Sequence, residues 1–252
     1  MLIHVLSGDS LALPFEKTGI EGEVVVCREC FVDGDARAAS LKELWEVRSA
    51  FITENYGGSN QDYQHKTVEE FERLVSAAVG KEVVLWFEYE LFCQVNLWFV
   101  VWLLRDAGAA LSIAYPVIRE RSQLWNGFRV LSIDELKAGF DSRIAMSEDD
   151  IGLAIDLWEA FRSRDHRMLG FLANRENACF PTLKTVVEAA CEIETRPKEA
   201  LRRIIQEGKR EFGEVFEEFS SREPIYGFGD LQVKRIFDHL DAIDESLRIK
   251  NR

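Results

Sequence analysis

The sequence has little histidine, little net positive charge and no repeated cysteine pair, and each shortage removes a class of function. The four histidines, His4, His65, His166 and His239, are scattered without the short spacings of a metal centre. His4 sits inside an apolar run and reads as a core histidine whose ring is satisfied by its neighbours. Five cysteines, an odd number, argue for reduced thiols and a cytoplasmic location rather than a disulfide framework. Cys27-Arg28-Glu29-Cys30 has the spacing of redox and zinc motifs, but Cys93, Cys179 and Cys191 form no second pair, so a structural role is expected. The net charge of −13 speaks against a general nucleic-acid or anionic-membrane binder, which would need clustered excess Lys and Arg. Gly-x-Gly-x-x-Gly after a strand, the phosphate-loop Gly-Lys-Ser/Thr, His-Glu-x-x-His and Gly-x-Ser-x-Gly are all missing, which leaves the usual nucleotide cofactors unsupported. The most apolar stretch, Leu91 to Leu104, contains Gln94 and Asn96 and falls short of the roughly 20 residues a membrane span requires. It predicts a buried helix and no membrane partner. Met1 to Leu6 lacks a basic flank and runs into Gly8-Asp9-Ser10, so it predicts a first strand rather than a secretory leader.

What is present is enough apolar material for a core, 47% hydrophobic and 11% aromatic over 252 residues. Short β-branched and aliphatic runs, Leu2 to Leu6, Glu23 to Cys27, Val83 to Phe87, Leu111 to Ala114 and Phe128 to Ser132, alternate with helical patterns. Strands separated by helices predict a Rossmann-like α/β domain with a mostly parallel sheet of about five strands over residues 1–145. Ser40-Leu41-Lys42-Glu43 and Thr67-Val68-Glu69-Glu70 have the form of capping boxes. The first precedes an apolar face of Leu41, Leu44, Trp45, Phe51 and Ile52, the second one of Val68, Phe71, Leu74, Val75 and Val79 that Gly80 stops. Between them, Asn55 to Lys66 reads as a polar loop, either a lid or a variable insertion.

After Ser147 strand signals stop, and residues 146–252 read as a smaller, mainly helical domain. Expected helices are Ile151 to Phe161, Arg167 to Ala173, Leu183 to Glu194, Pro197 to Glu207 and Asp230 to Leu247. The last carries Val233, Ile236, Phe237, Leu240, Ile243 and Leu247 on one face, with Asp230 as its cap. This order is compatible with a winged-helix or helix-turn-helix unit, with Lys234 and Arg235 on the outer face. Asp238, Asp241, Asp244 and Glu245 share that helix, so a packing face or a homodimer contact outweighs DNA reading.

In open parallel sheets the ligand crevice lies beyond the carboxyl ends of the strands, where helix N-termini also point. Gly8, Asp9 and Ser10 follow the first strand, Arg28 and Glu29 the second, and Glu88, Tyr89 and Glu90 the third, with Gln94 a turn further on. Clustered carboxylates raise one another's pKa unless a proton or cation lies between them. Asp9, Glu88 and Glu90 are therefore candidate ligands of a divalent metal such as magnesium. Asp9, Ser10, Glu29 and Glu88 are candidates for catalysis, and Gly8, Arg28, Tyr89 and Gln94 for orienting a small-molecule ligand. The plainer reading stands beside this one: Asp9 as an N-cap, Glu88 and Glu90 as favourable first-turn charges, Arg28 as an ion-pair partner.

Gly8-Asp9-Ser10-Leu11 resembles the nucleophile block of the GDSL hydrolases over four residues. The Asp-x-x-His that should serve it at the chain's end appears instead at Asp62-Tyr63-Gln64-His65, before the third strand, so the triad is not expected to assemble.

A wider resemblance rests on Val5-Leu6-Ser7-Gly8-Asp9-Ser10, Arg28-Glu29 and Leu85-Trp86-Phe87-Glu88-Tyr89-Glu90-Leu91-Phe92-Cys93-Gln94. In the second part it rests on Phe180-Pro181, Arg202 to Gly208 and Gly227-Phe228-Gly229-Asp230. By these the chain resembles a bacterial two-part arrangement, domain-of-unknown-function family 1835 followed by family 3658. The sequence departs from that pattern where Gly34-Asp35 replaces a Gly-Pro and where Glu90 replaces an Asp. The resemblance implies an architecture and no reaction. The function expected is binding or hydrolysis of a small polar, phosphorylated ligand at the strand ends; the alternative is a regulatory or interaction protein with a helix-turn-helix-like C-terminal module.

Overall fold

In the computed structural model, residues 2–250 are described, with side chains to residue 240. The chain opens with β1 (Ile3–Leu6), α1 (Asp9–Glu16), β2 (Glu23–Val26), α2 (Leu41–Tyr56), α3 (Asn60–Tyr63), a π-helical turn Gln64–Val68 and α4 (Glu69–Ala78). It continues through β3 (Glu82–Trp86), α5 (Leu91–Leu103), β4 (Ala110–Ala114), α6 (Ile133–Asp141) and β5 (Ile144–Ala145). The helices α7 (Glu148–Arg162), α8 (His166–Leu172), α9 (Leu183–Cys191), α10 (Arg196–Gln206), α11 (Phe212–Arg222) and α12 (Asp230–Lys250) follow.

The sheet order is β2-β1-β3-β4-β5, parallel except for the antiparallel edge β5. Its strands are apolar on both faces because helices cover both. Ile3, Val5, Val83, Leu85 and Ile113 face the layer of α2, α4 and α5. Leu6, Val84, Trp86 and Ala114 face α1 and α6. A one-residue alternation thus sorts each strand between two cores. The Leu91 to Leu104 segment is α5, buried on nearly every side, and α7 packs along it. The main core therefore runs without a break from Ile3 to Leu240 in α12. No helix among the described residues is long and apolar enough to cross a membrane.

Four expectations need correction. Phe128 to Ser132 is not a strand: Phe128–Val130 is a 3-10 turn whose Phe128 ring packs on Trp86, and Ser132 opens a capping box that starts α6. The fifth strand is instead Ile144–Ala145. Asn55 to Lys66 is not a long loop, since only Gly57, Gly58 and Ser59 separate α2 from α3, and Ser59 caps α3 by accepting the Asp62 N–H. Thr67, expected as a cap, lies inside the π-helical turn, where its hydroxyl donates to the Arg28 carbonyl at 3.4 Å. Val79 is exposed rather than on the buried face. Ser40 does cap α2 by accepting from Glu43 N, while the Glu43 carboxylate reaches the N–H of Ala39.

Past Ala145 the described residues form helices and turns with no wing strand among them. Arg235 does not face outward freely; its guanidinium holds Asp33 in the β2–α2 connection, and Lys234 pairs with Asp238. The side chains of Asp241, Ile243, Asp244, Glu245 and Leu247 lie outside the described residues.

Candidate functional site

Strand order reverses direction between β1 and β3, because the chain leaves β1 toward β2 on one side and returns to β3 on the other. At such a switch point the connections diverge and leave a crevice beyond the strand ends. Here it is a cleft of about 400 Å³ lined by Ser7 to Ser10, Cys27 to Cys30, Glu88, Glu90 and Cys93, with Gly227 reaching in from the C-terminal helices.

The first wall is the β1–α1 turn. Gly8, not Asp9, occupies the N-cap position, and no side chain caps the helix. Asp9 and Ser10 are its exposed first residues. Gly8 has an extended φ of 174°, and a Cβ there would meet nothing within 4 Å. Neither strain nor crowding inside the protein demands glycine at this position. What its bare backbone provides is open access to the N–H groups at the start of α1, a favourable place for an acceptor or anionic group.

Arg28 and Glu29, adjacent in the chain, point in opposite directions, as alternation along an extended segment requires. Arg28 turns to the cleft and holds Asp9 at 2.8 Å, with a further bond to the Lys66 carbonyl at 3.1 Å. Glu29 turns inward. Its carboxylate takes Arg48 at 2.8 and 3.2 Å, the Tyr63 hydroxyl at 2.5 Å and the Cys30 N–H at 2.8 Å. Both Glu29 and Arg48 side chains are 0% exposed. With its oxygens occupied by donors, Glu29 is a structural anchor, and the expectation of a catalytic role is withdrawn. Asn96 of α5 fixes the same connection by donating to the Glu29 carbonyl and accepting from Phe31 N.

The third wall is the β3–α5 connection. Glu90 is the N-cap of α5, accepting from Cys93 N at 3.0 Å, and Glu88 accepts from Phe128 N at 2.7 Å. Glu90 is thus the N-cap of α5 rather than a first-turn charge, and it also faces the cleft. Two left-handed glycines close over the pair. A Cβ at Gly127 (φ 67°) would overlap the Glu88 carboxylate, and one at Gly227 (φ 63°) would overlap Glu90. Burial, reinforced by the nearby Glu88 charge, pushes the Glu90 carboxyl up to about 7. Burial also raises Glu88, partly offset by the Phe128 N–H. Ligand atoms of Glu88, Glu90 and Cys93 lie within 4.8 Å of one another. Asp9, grouped with the carboxylates in the sequence, is not among them; it belongs to Arg28. Cys93, read from the sequence only as an unpaired cysteine in the segment that carries the resemblance, takes its place, and its thiol is held well above its usual pKa by burial and by Glu90.

Tyr89 and Gln94 support this wall from behind. Tyr89 stacks on Tyr115 with ring centroids 4.5 Å apart and donates to the Pro116 carbonyl at 3.2 Å. Gln94, buried, donates to the Glu88 carbonyl at 2.6 Å. The Thr182 hydroxyl from the helical part ties down the Tyr89 carbonyl at 3.0 Å. Neither Tyr89 nor Gln94 lines the cleft; both fix the backbone that presents Glu88 and Glu90.

The hydrolase triad is not assembled: His65 Nδ1 pairs with Glu69 at 2.9 Å, and Asp62 takes the Ser59 hydroxyl. Cys27 and Cys30 are free, buried thiols raised by desolvation, Cys30 to about 12. His4 is fully buried, accepting from Trp86 Nε1 at 3.1 Å and bonded through Nε2 to the Glu21 carbonyl, as a neutral core histidine requires. Compared with protein-family models, with curated proteins and with solved structures, the chain has no match, so the cleft is read from its own geometry.

Proposed function

We propose that the chain binds a small polar, phosphorylated ligand in the switch-point cleft and hydrolyses it by acid–base catalysis through Glu88 and Glu90. The observation that carries this reading is a pair of carboxylates opening on the cleft, Glu90 buried and Glu88 half-buried, with no arginine or lysine among the described residues bonded to either and their protonation pushed upward. Two such groups cannot both ionise cheaply at close range, so one holds a proton while the other does not. That division supplies an acid and a base at neutral pH, where a carboxyl near 7 is well placed to exchange a proton. Arg28 offers its exposed edge to an anionic group of the ligand, and the N–H groups at Gly8 to Ser10 receive an acceptor oxygen. Asp9 orients Arg28 and is a positioning residue.

A divalent cation is the second way to neutralise the pair. The donor set of two carboxylates and a thiol suits zinc better than the magnesium inferred from carboxylates alone. In that case Glu88, Glu90 and Cys93 would hold the ion and Arg28 would keep its role. The segments behind the proposed kinship with families 1835 and 3658 support a shared site, since Gly8-Asp9-Ser10, Arg28, Glu88, Glu90, Cys93 and Gly227 all border this cleft.

The test is thermal stability of chelator-treated protein against zinc, manganese, magnesium and a panel of sugar phosphates and nucleotides, with Glu88→Gln and Asp9→Ala beside the wild type. A saturable rise with a phosphorylated compound that both variants lose supports the reading, because a ligand that prefers the folded state stabilises it. A rise that survives both substitutions, or none with any compound, removes it.

A further inference from the structure

A second cavity lies away from the strand ends, between the Phe31 to Ala36 connection and the helices α7, α8, α9 and α12. Its volume is about 360 Å³, within the range of small-molecule sites. Half-buried Phe51, Phe161 and Phe228 give its lining an aromatic character, with Phe31 buried behind them.

The polar residues of the wall divide into spoken-for and free charges. Arg162 is held by Glu159 and the Ala38 carbonyl, Arg235 by Asp33, and Asp35 by Arg37. What remains is Arg164 and Lys198, which share the carboxylate of Glu194 at 3.9 and 3.3 Å, Arg164 also lying near the Asp35 carboxylate that Arg37 holds. His166 and His239 also line the cavity. One permanent positive charge is therefore left without a full partner beside an aromatic surface.

Arg164 stands where the backbone disfavours it. The Asp165 N–H bonds the Ala160 carbonyl at 2.9 Å and the Arg164 N–H bonds the Phe161 carbonyl at 3.0 Å. This is the Schellman closure of α7, with Arg164 at the left-handed position normally given to glycine. Its φ is 59°, the one positive φ at a non-glycine among the described residues. A side chain kept in a costly conformation marks a place where the side chain itself is used, and here it borders the cavity.

We infer that this cavity is a second ligand site, for a small organic anion in which a flat aromatic ring is joined to one phosphate or carboxylate. The ring packs against Phe51 and Phe228, and the anion meets Arg164 and Lys198. Phosphate and carboxylate satisfy the same guanidinium and ammonium donors, so the probes must separate them.

The experiment is calorimetric titration of the full chain with AMP, benzoate and, as the uncharged control, adenosine, for the wild type and Arg164→Gly, Lys198→Met and Asp9→Ala. At least one of AMP and benzoate should bind saturably, about tenfold or more tighter than adenosine. Arg164→Gly and Lys198→Met should each weaken it by about tenfold, and Asp9→Ala, on the other cleft, should leave it unchanged. Arg164→Gly should meanwhile raise Tm by about 2–4 °C through release of the strained φ. Binding of neither anion, wild-type affinity in either cavity variant, loss of binding only in Asp9→Ala, or a fall in Tm for Arg164→Gly would each overturn the inference. Because the cavity and the strand-end cleft share none of the substituted residues, failure here leaves the proposed catalytic site standing, and the reverse.

Discussion

Arg28 and Glu29 begin two arginine–carboxylate pairs that share a peptide bond and little else. The Arg28–Asp9 pair lies at the cleft with Asp9 68% exposed, whereas Glu29 and Arg48 are 0% exposed. Water screens the first pair and supplies alternative partners to each group, so its net worth is small. The second has no water to fall back on. Its guanidinium also takes the carbonyls of Cys30, Asp33 and Asp35, so it welds α2 to the whole β2–α2 connection. The same chemical pair is thus left open to solvent on one side of the chain and locked into the architecture on the other, and burial decides which.

The sharpest way to break that comparison is Arg48→Ala. Removing one partner of a buried pair strands the other charge, and chemical denaturation should show a loss of about 3–5 kcal/mol. A loss below 1 kcal/mol would mean that Glu29 finds water or a proton at little cost.

Glu90 extends the comparison to a buried carboxylate with no cationic partner bonded to it among the described residues. Its folded pKa, raised to about 7, means that the native state holds the proton more tightly than the unfolded chain does. The associated stability is fully present below the ordinary Glu pKa and is lost as pH rises through about 7. In chelator-treated protein, the free energy of unfolding from chemical denaturation should fall across that window, by roughly 3 kcal/mol in total. Glu90→Gln should flatten this slope, and an unchanged slope would assign the titration to another group.

Arg28→Ala should cost under about 1 kcal/mol of stability while abolishing the ligand-induced thermal shift expected of the cleft. A large loss of stability would instead make the pair structural. Smallest in stability is Gly8→Ala, expected to change it by no more than a few tenths of a kcal/mol, about the level of an ordinary surface substitution. Its methyl group would nonetheless narrow the approach to the α1 N-terminus, so ligand titration should show weaker binding at nearly unchanged Tm.

The four parallel strands were legible because a strand covered on both faces must be apolar along its length, a local property. Helix α5 was legible for the same reason, as was the gathering of strand-end residues at one crevice, which follows from parallel topology alone. The fifth strand was misplaced because Phe128 to Ser132 has strand composition but no partner. Its Phe128 N–H goes to Glu88 instead, and the capping signal Ser132-Ile133-Asp134-Glu135 was overshadowed by the apolar residues before it. The segment before α4 was misread because its polar composition suits a loop, whereas Tyr63, buried against Glu29, holds it helical.

By itself the sequence determined the alternation of elements, the apolar strands and the set of polar residues that must collect at the sheet's carboxyl edge, since these depend on spacing along one segment. Only the tertiary structure decided that Glu29 serves Arg48, that Cys93 joins Glu88 and Glu90, that Gly127 and Gly227 close over those carboxylates, and that Arg164 borders a second cavity. Those outcomes depend on groups far apart in the chain, and burial and charge pairing between such groups are properties of the assembled core, absent from any single segment of it.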